Sequence, residues 1–322
     1  MGSIITLSIV QSALELGFIY SLVALALFIS FSILNIADLS TDGCFTLGCA
    51  VCATVTIAGH PMLGLLAALL SGVVSGFITA FLQTKMGIQS ILAGIIVNTG
   101  LYTINIAVMG FASNLNLFDC ESIFTWAKEN IGGTWYKLII VAVIVIAVAI
   151  LVSVFLNTRL GLSIRATGDN PDMVRASSIN TNFMITIGLC VANSLTALSG
   201  GILAQYQKSC DINLGTGMVT IALASLIIGE SIIGKGGMLK RITGVILGSC
   251  LYRFIVAIAL RMKVPAECLK LVSAIIVAVA IAFPYLKGQI VLYKHRIVSK
   301  QQNQQYIKEI LGKDNAPKGG NV

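Results

Sequence analysis

Charge is what this sequence has least of. Only 11% of its 322 residues are Asp, Glu, Lys or Arg, against 57% hydrophobic, and mean hydropathy is +0.93. A soluble domain carries about a quarter charged residues, so the composition excludes water as the main solvent of this chain. Histidine is nearly missing as well, with only His60 and His295 present. That scarcity excludes a histidine-built metal site and a Ser/His/Asp constellation, and no paired carboxylates stand in for them. No metal and no cofactor are expected. No GxxxxGK[ST] loop occurs, so the usual Mg-ATP cradle is lacking and the chain is expected not to be an enzyme. The GxGD and HExxH patterns are missing too, which sets intramembrane proteolysis aside. The N-terminus has neither a basic n-region nor a small-residue cleavage site, so no cleavable leader is expected.

What the sequence does have is a series of apolar runs long enough to cross ~30 Å of hydrocarbon. Nine are legible, at 11–34, 43–58, 62–84, 90–110, 138–157, 183–206, 217–234, 242–260 and 268–285. The second is short, and residues 3–10 are apolar enough for the first helix to be long and tilted or to start in the interface. The fold class is therefore all-α, a polytopic integral membrane protein of about nine helices within a range of 8–10. Residues 1–286 form the transmembrane domain and 287–322 a basic, glutamine-rich tail that can rest on anionic lipid. The final KDNAPKGGNV has the composition of a disordered end.

Lys and Arg orient these spans. With the C-terminus inside, the inner segments hold fourteen of the 21 Lys and Arg and the outer ones five, leaving Arg253 and Lys270 within spans. The expectation is an external N-terminus and a cytoplasmic C-terminus. Because the positives gather at membrane edges and in the tail, the net charge of +8 does not point to nucleic acid. The outer loop 111–137 carries Trp126, Trp135 and Tyr136, which suit an interfacial belt, and a surface or re-entrant helix over Glu121–Asn130. The eight cysteines read mainly as small apolar packers. Cys44, Cys49 and Cys52 lack metal partners, while Cys120 and Cys210 share the outer side, where a disulfide is one alternative.

The longest polar interruption of the second half, apart from the tail, is RLGLSIRATGDNPDMVRASSINTN at 159–182. Asn170 can cap a helix, Pro171 suits its first position, and Asp172 lies where the helix dipole favours an acid. A helix of about two turns is expected over Pro171–Ser178, with Gly168 as a hinge before it. Arg159, Arg165 and Arg175 place the stretch on the cytoplasmic side. A short capped helix between two spans cannot cross the bilayer, which suits a docking knob for a cytoplasmic partner; a solvated loop is the other reading. Met173, Ala176 and Ser177 would make its small-knobbed face.

Ionisable groups inside spans are expensive and tend to face a partner or a watery cavity. Glu15, Glu230 and Arg253 are the deep ones, and a structural Glu230–Arg253 pair is the economical expectation. Asp38 and Asp42 flank a helix break in ADLSTDG, where Gly43 lets the backbone bend. Polar, glycine-rich interruptions occur in both halves, at 35–43 and 229–237, a pattern that points to a central pathway in transporters. Asn98, Asn105 and Asn193 are neutral polar residues within spans, generally interhelical glue; Asn98 and Asn193 are the ones expected to face a pore.

The run ATGDNPDMVRASSIN resembles the coupling loop of ABC-transporter permeases of the branched-chain amino acid and sugar type, a type II-like importer permease. ILNIADLSTDG, ILAGIIVNTGLYTINIAVMG and LAQYQKSCDINLGTGMVTIALASLIIGESIIG agree, and the likeness covers roughly residues 10 to 285. It is most like the tryptophan and uncharacterised-substrate group. The resemblance implies ten spans, of which the first is missing here. It also implies a homodimer of the permease, two ATP-binding subunits, an extracellular substrate-binding lipoprotein and a bacterial cytoplasmic membrane. The implied coupling residues are Arg165, Gly168, Asp169, Asn170, Pro171, Asp172, Met173, Arg175, Ala176 and Ser177. The implied pathway residues are Asp38, Ser40, Asp42, Asn98, Asn193 and Glu230. Gly229-Glu230 stands where sugar-type relatives carry two glycines, a departure from the sugar pattern, and the resemblance alone implies an aromatic amino acid such as tryptophan or tyrosine as substrate. A secondary carrier or channel needing no ATPase is the alternative.

Overall fold

The computed structural model describes residues 7–132, 135–234 and 236–261, together with 271, 274, 275, 278, 279 and 282. All that follows concerns the first of two compact units, Met1–Val277. The expected tail 287–322 lies outside the described residues, as does most of the ninth expected span at 268–285.

Among the described residues the chain is helical, with one two-stranded ribbon. Helix α1 (Leu7–Leu27) runs on into a π-helical turn, Phe28–Ile33, and the chain then breaks before α2 (Thr41–Ile57). There follow α3 (Pro61–Thr84), α4 (Ser90–Val108), strand β1 (Asn114–Asn116), a short α5 (Ile123–Ile131) and α6 (Tyr136–Asn157). The second half holds α7 (Arg159–Asp169), α8 (Pro171–Ala176), α9 (Thr181–Gln207), β2 (Ser209–Asp211), α10 (Met218–Ile233) and α11 (Met238–Arg261). Six of the described helical stretches are long and apolar enough to cross a membrane, while α2 and α10 are apolar but shorter. The first eight expected spans fall on these eight elements.

Burial divides them into inner and outer helices. The membrane windows of the first span (α1 with its π turn) and of α9 are 78% and 83% buried, against 22% for α6. The first span and α9 are therefore the central posts and α6 is a wall. The outward faces are apolar: Leu66, Leu70 and Val74 of α3 and Val143, Ile146 and Ile150 of α6 are all exposed. The inward face of α6 is apolar too, whereas that of α3 is small and polar. On α3 the buried positions include Gly64, Ala68, Gly72, Gly76 and Ala80, one small residue every fourth place. A Cβ on Gly72 or Gly76 would run into the α9 backbone at Asn193–Ser194 and Leu189–Cys190. Lipid tails are as apolar as Leu, so close backbone approach through such a stripe, rather than exclusion of water, brings these helices together.

Beyond the spans, β1 pairs antiparallel with β2, Leu115 opposite Cys210. The amphipathic α5 starts at a reciprocal cap between Ser122 and Thr125, and its first N–H donates to Gln205 Oε1 at 3.1 Å. This is the surface helix expected over Glu121–Asn130, begun two residues later. Cys120 and Cys210 are both free thiols, so the disulfide alternative is not realised; Cys210 is buried in the cluster that includes Cys49.

Candidate functional site

The break after α1 is built from its own polar residues. The π turn ends with Leu34 N–H donating to Ile29 at 3.0 Å and Ile36 N–H to Ser30 at 2.8 Å, and Asn35 between them is left-handed at φ 56°. Asn tolerates that conformation better than most residues because its short amide can bond locally. Asp38 then accepts from the backbone N–H and the hydroxyl of Ser40, at 2.8 and 2.6 Å. Its other carboxylate oxygen accepts from Asn193 Nδ2 of α9 at 3.0 Å, and Thr79 of α3 donates to Ser40 Oγ at 3.3 Å. Asp38, Ser40 and Asn193 are at most 2% exposed. In a membrane interior an unsatisfied polar group is costly, so this network is what permits the chain to stop being helical there. It ties the break to α9 and α3, with the Asn193 amide turned to Asp38 and Ser40.

Asp42 does something different. It lies in the first turn of α2, and its carboxylate accepts from Gly217 N–H and Val219 N–H, both at 2.9 Å. Those are the amides of the N-cap and of the second residue of α10. One carboxylate therefore sits at the start of both shorter helices, where the positive ends of their dipoles favour it. Thr46, one turn on, accepts from Gly215 N–H at 3.1 Å. Beside this junction opens a cleft of ≈ 400 Å³ lined by Asp42, Thr46, Asn98, Tyr102, Asn105, Asn213 and Thr216 among others. Of the expected pathway residues, Asp42 and Asn98 line this cleft, Asp38, Ser40 and Asn193 stand behind it in the core, and Glu230 is elsewhere.

Between α6 and α9 the polar stretch forms two helices where one was expected. Thr158 accepts from Gly161 N–H at 3.3 Å and starts α7. Gly161, Ile164 and Thr167 face inward at helical spacing. Gly168 is no hinge but part of this helix, and a Cβ there would collide with the Ile33 carbonyl of the π turn. The hinge is Asn170, extended at φ −156°, whose side chain accepts from the N–H groups of Asp172 and Met173 at 3.1 Å. Helix α8 ends at Ala176, two residues short of expectation. Val174 anchors it at 4% exposure while Met173 stands out at 69%. Asp172, Arg175, Ala176 and Ser177 are exposed, Arg165 and Gly168 half-buried, and Asp169 and Asn170 exposed at the joint. Arg175 turns back, donating from Nε to Thr181 Oγ1 at 3.1 Å.

The sequence of this helical membrane protein matches one family model over most of its length. The model described as "Branched-chain amino acid transport system / permease component" matches residues 9–282. The chain belongs to that permease family. It is a multi-pass membrane permease, the permease subunit of a type II ABC importer. It is 33% identical over 84% of its length to the tyrosine transport system permease protein of Clostridioides difficile, covering 90% of that protein. It is 30% identical over 86% of its length to an uncharacterized protein of Rickettsia prowazekii, 98% of which is covered. The ribose import permease protein RbsC of Escherichia coli is 26% identical over 68% of the chain, with 67% of that permease covered. No solved structure matches.

In this permease the expected Glu230–Arg253 pair is replaced. Glu230 binds Arg241 at 2.7 Å, and both also hydrogen-bond Ser32 of the π turn, at 2.9 and 2.7 Å. The reason is where α11 begins: at Met238, four residues earlier than the expected span, so Arg241 is in its first turn and faces the last turn of α10. Arg253 lies twelve residues further on, roughly 18 Å along the axis at 1.5 Å per residue. It stacks its guanidinium on the Tyr20 ring, 3.6 Å from the centroid. Glu15, the third deep charge, is held by Gln11 at 2.9 Å and the Tyr206 hydroxyl at 2.7 Å. Sequence reading missed α7, although the Thr158 cap and the spacing of Gly161, Ile164 and Thr167 were available to it. It also passed over Asn105 as a cleft residue.

Proposed function

We propose that this permease imports an aromatic amino acid of the tyrosine or tryptophan kind across the bacterial cytoplasmic membrane. Two copies of it would work with two ATP-binding subunits and an extracellular substrate-binding lipoprotein, the N-terminus outside and the C-terminus in the cytoplasm. The aromatic class is supported by the Clostridioides permease named for tyrosine, 33% identical over 84% of this chain. The fourteen-to-five division of Lys and Arg supports the orientation. Residues 1–286 are the transmembrane domain in this reading and 287–322 the cytoplasmic tail.

The observation that carries the coupling mechanism is α8. Six residues, Pro171–Ala176, form a helix capped by Asn170 and pinned by Val174, with Met173 69% exposed. So short a helix is marginal in water by itself, and an exposed Met adapts to an irregular groove. An ATP-binding subunit docking there supplies the missing contacts, and its closure moves α8, then α7, then the π turn that α7 touches at Gly168. Arg165, Asp169, Asp172, Arg175 and Ser177 frame the docking face. Ala176→Trp tests this by bulk: the expected result is normal membrane insertion, no co-purified ATP-binding subunit and no uptake of labelled tyrosine or tryptophan. Retained subunit binding together with substrate-stimulated ATP hydrolysis would remove α8 from the mechanism.

A further inference from the structure

The cleft beside Asp42 contains an acceptor that nothing among the described residues satisfies. Asn105 is 1% exposed, and its Nδ2 donates to the Gly43 carbonyl at 3.1 Å. A carbonyl can only accept, so that bond fixes which way the amide points. Its Oδ1 is then left buried in the cleft wall with no donor. Such an atom is costly at membrane depth unless a ligand brings a donor to it. Asp42, in the same wall, has one backbone N–H on each oxygen, and a carboxylate oxygen can take a further donor. No Lys, Arg or His lines the cleft, and Asp42 is its one charged residue. The wall carries one negative charge, no positive one, and a buried acceptor still open.

We infer that Asn105 and Asp42 form a subsite that receives the primary ammonium group of the amino acid as it crosses the membrane. An ammonium group brings three N–H donors and a positive charge, which supplies both the donor that Asn105 Oδ1 lacks and a counter-charge to Asp42. The cleft's ≈ 400 Å³ is in the range that holds a small ligand, and Tyr102, half exposed on the same face, offers an aromatic surface. The inference rests on reading the chain as an amino-acid permease and adds which end of the substrate it holds.

The full-length permease, purified in detergent and unfolded thermally, tests this with a ligand panel that needs no variant. L-Tyrosine and tyramine, which keep the ammonium group, should raise the melting temperature. 3-(4-Hydroxyphenyl)propionate, which lacks it, should not. Asn105→Leu should weaken the tyramine effect about tenfold or more, the loss of one hydrogen bond to a charged group. Equal stabilisation by the desamino acid, or none by any compound, overturns the subsite even if tyrosine uptake by the assembled importer is normal. If leucine and isopentylamine stabilise and the tyrosine pair does not, the subsite stands and the aromatic reading falls.

Discussion

At the scale of single residues, the charges inside this permease are each answered by a different device. Glu230 takes Arg241 and Ser32, Arg253 takes an aromatic face, Glu15 takes a phenol and an amide, and Asp38 takes Ser40 and Asn193. The identity of the deep residues was legible in the sequence because a charge in an apolar run stands out. Their partners were not. Choosing between Arg241 and Arg253 required knowing the first turn of α11 to within one residue, and apolarity blurs that boundary. The assignment has a measurable consequence. Glu230→Gln and Arg241→Gln should each lower the melting temperature of the purified permease, and the double variant should lose less than their sum, a coupling of about 1 kcal/mol for a half-exposed pair. Glu230→Gln with Arg253→Gln should simply add. Coupling in the second cycle and additivity in the first would reverse the assignment.

At the scale of elements, the spans themselves were readable to within a few residues, since length and apolarity are what a membrane demands of a helix. The inward faces were harder. The stripe Gly64, Ala68, Gly72, Gly76 and Ala80 on α3 is visible as spacing only once α9 is known to lie against it. Gly72→Leu should destabilise the permease by about 1–3 kcal/mol through overpacking, seen as a lower melting temperature in detergent. Leu70→Ala, two residues away and 62% exposed, should change it little in lipid nanodiscs. Similar losses from both would mean that α3 is not held to α9 by this stripe. Helix α7 escaped notice because its polar, arginine-bearing outer face made the whole stretch read as loop. Its buried face is only Gly161, Ile164 and Thr167.

At the scale of the whole molecule, the division of positive charge predicts that the β1–β2 ribbon and α5 lie outside the cell. A cysteine placed at Phe118, 65% exposed, should react with an impermeant maleimide on intact cells whose wall has been made permeable. Labelling only after lysis would invert the topology and move α7 and α8 away from the cytoplasm.

The junction at Asp42 also constrains how such a molecule can move. Its main chain belongs to the first turn of α2, and its carboxylate holds two amides at the start of α10. The two shorter helices, from opposite halves of the chain, thus share one anchor at their starts. A displacement of either helix start must therefore carry the other with it or break both hydrogen bonds. Glu230, near the far end of the same α10, is bonded to Ser32 of the π turn, so α10 is tied to the first half of the chain at both of its ends.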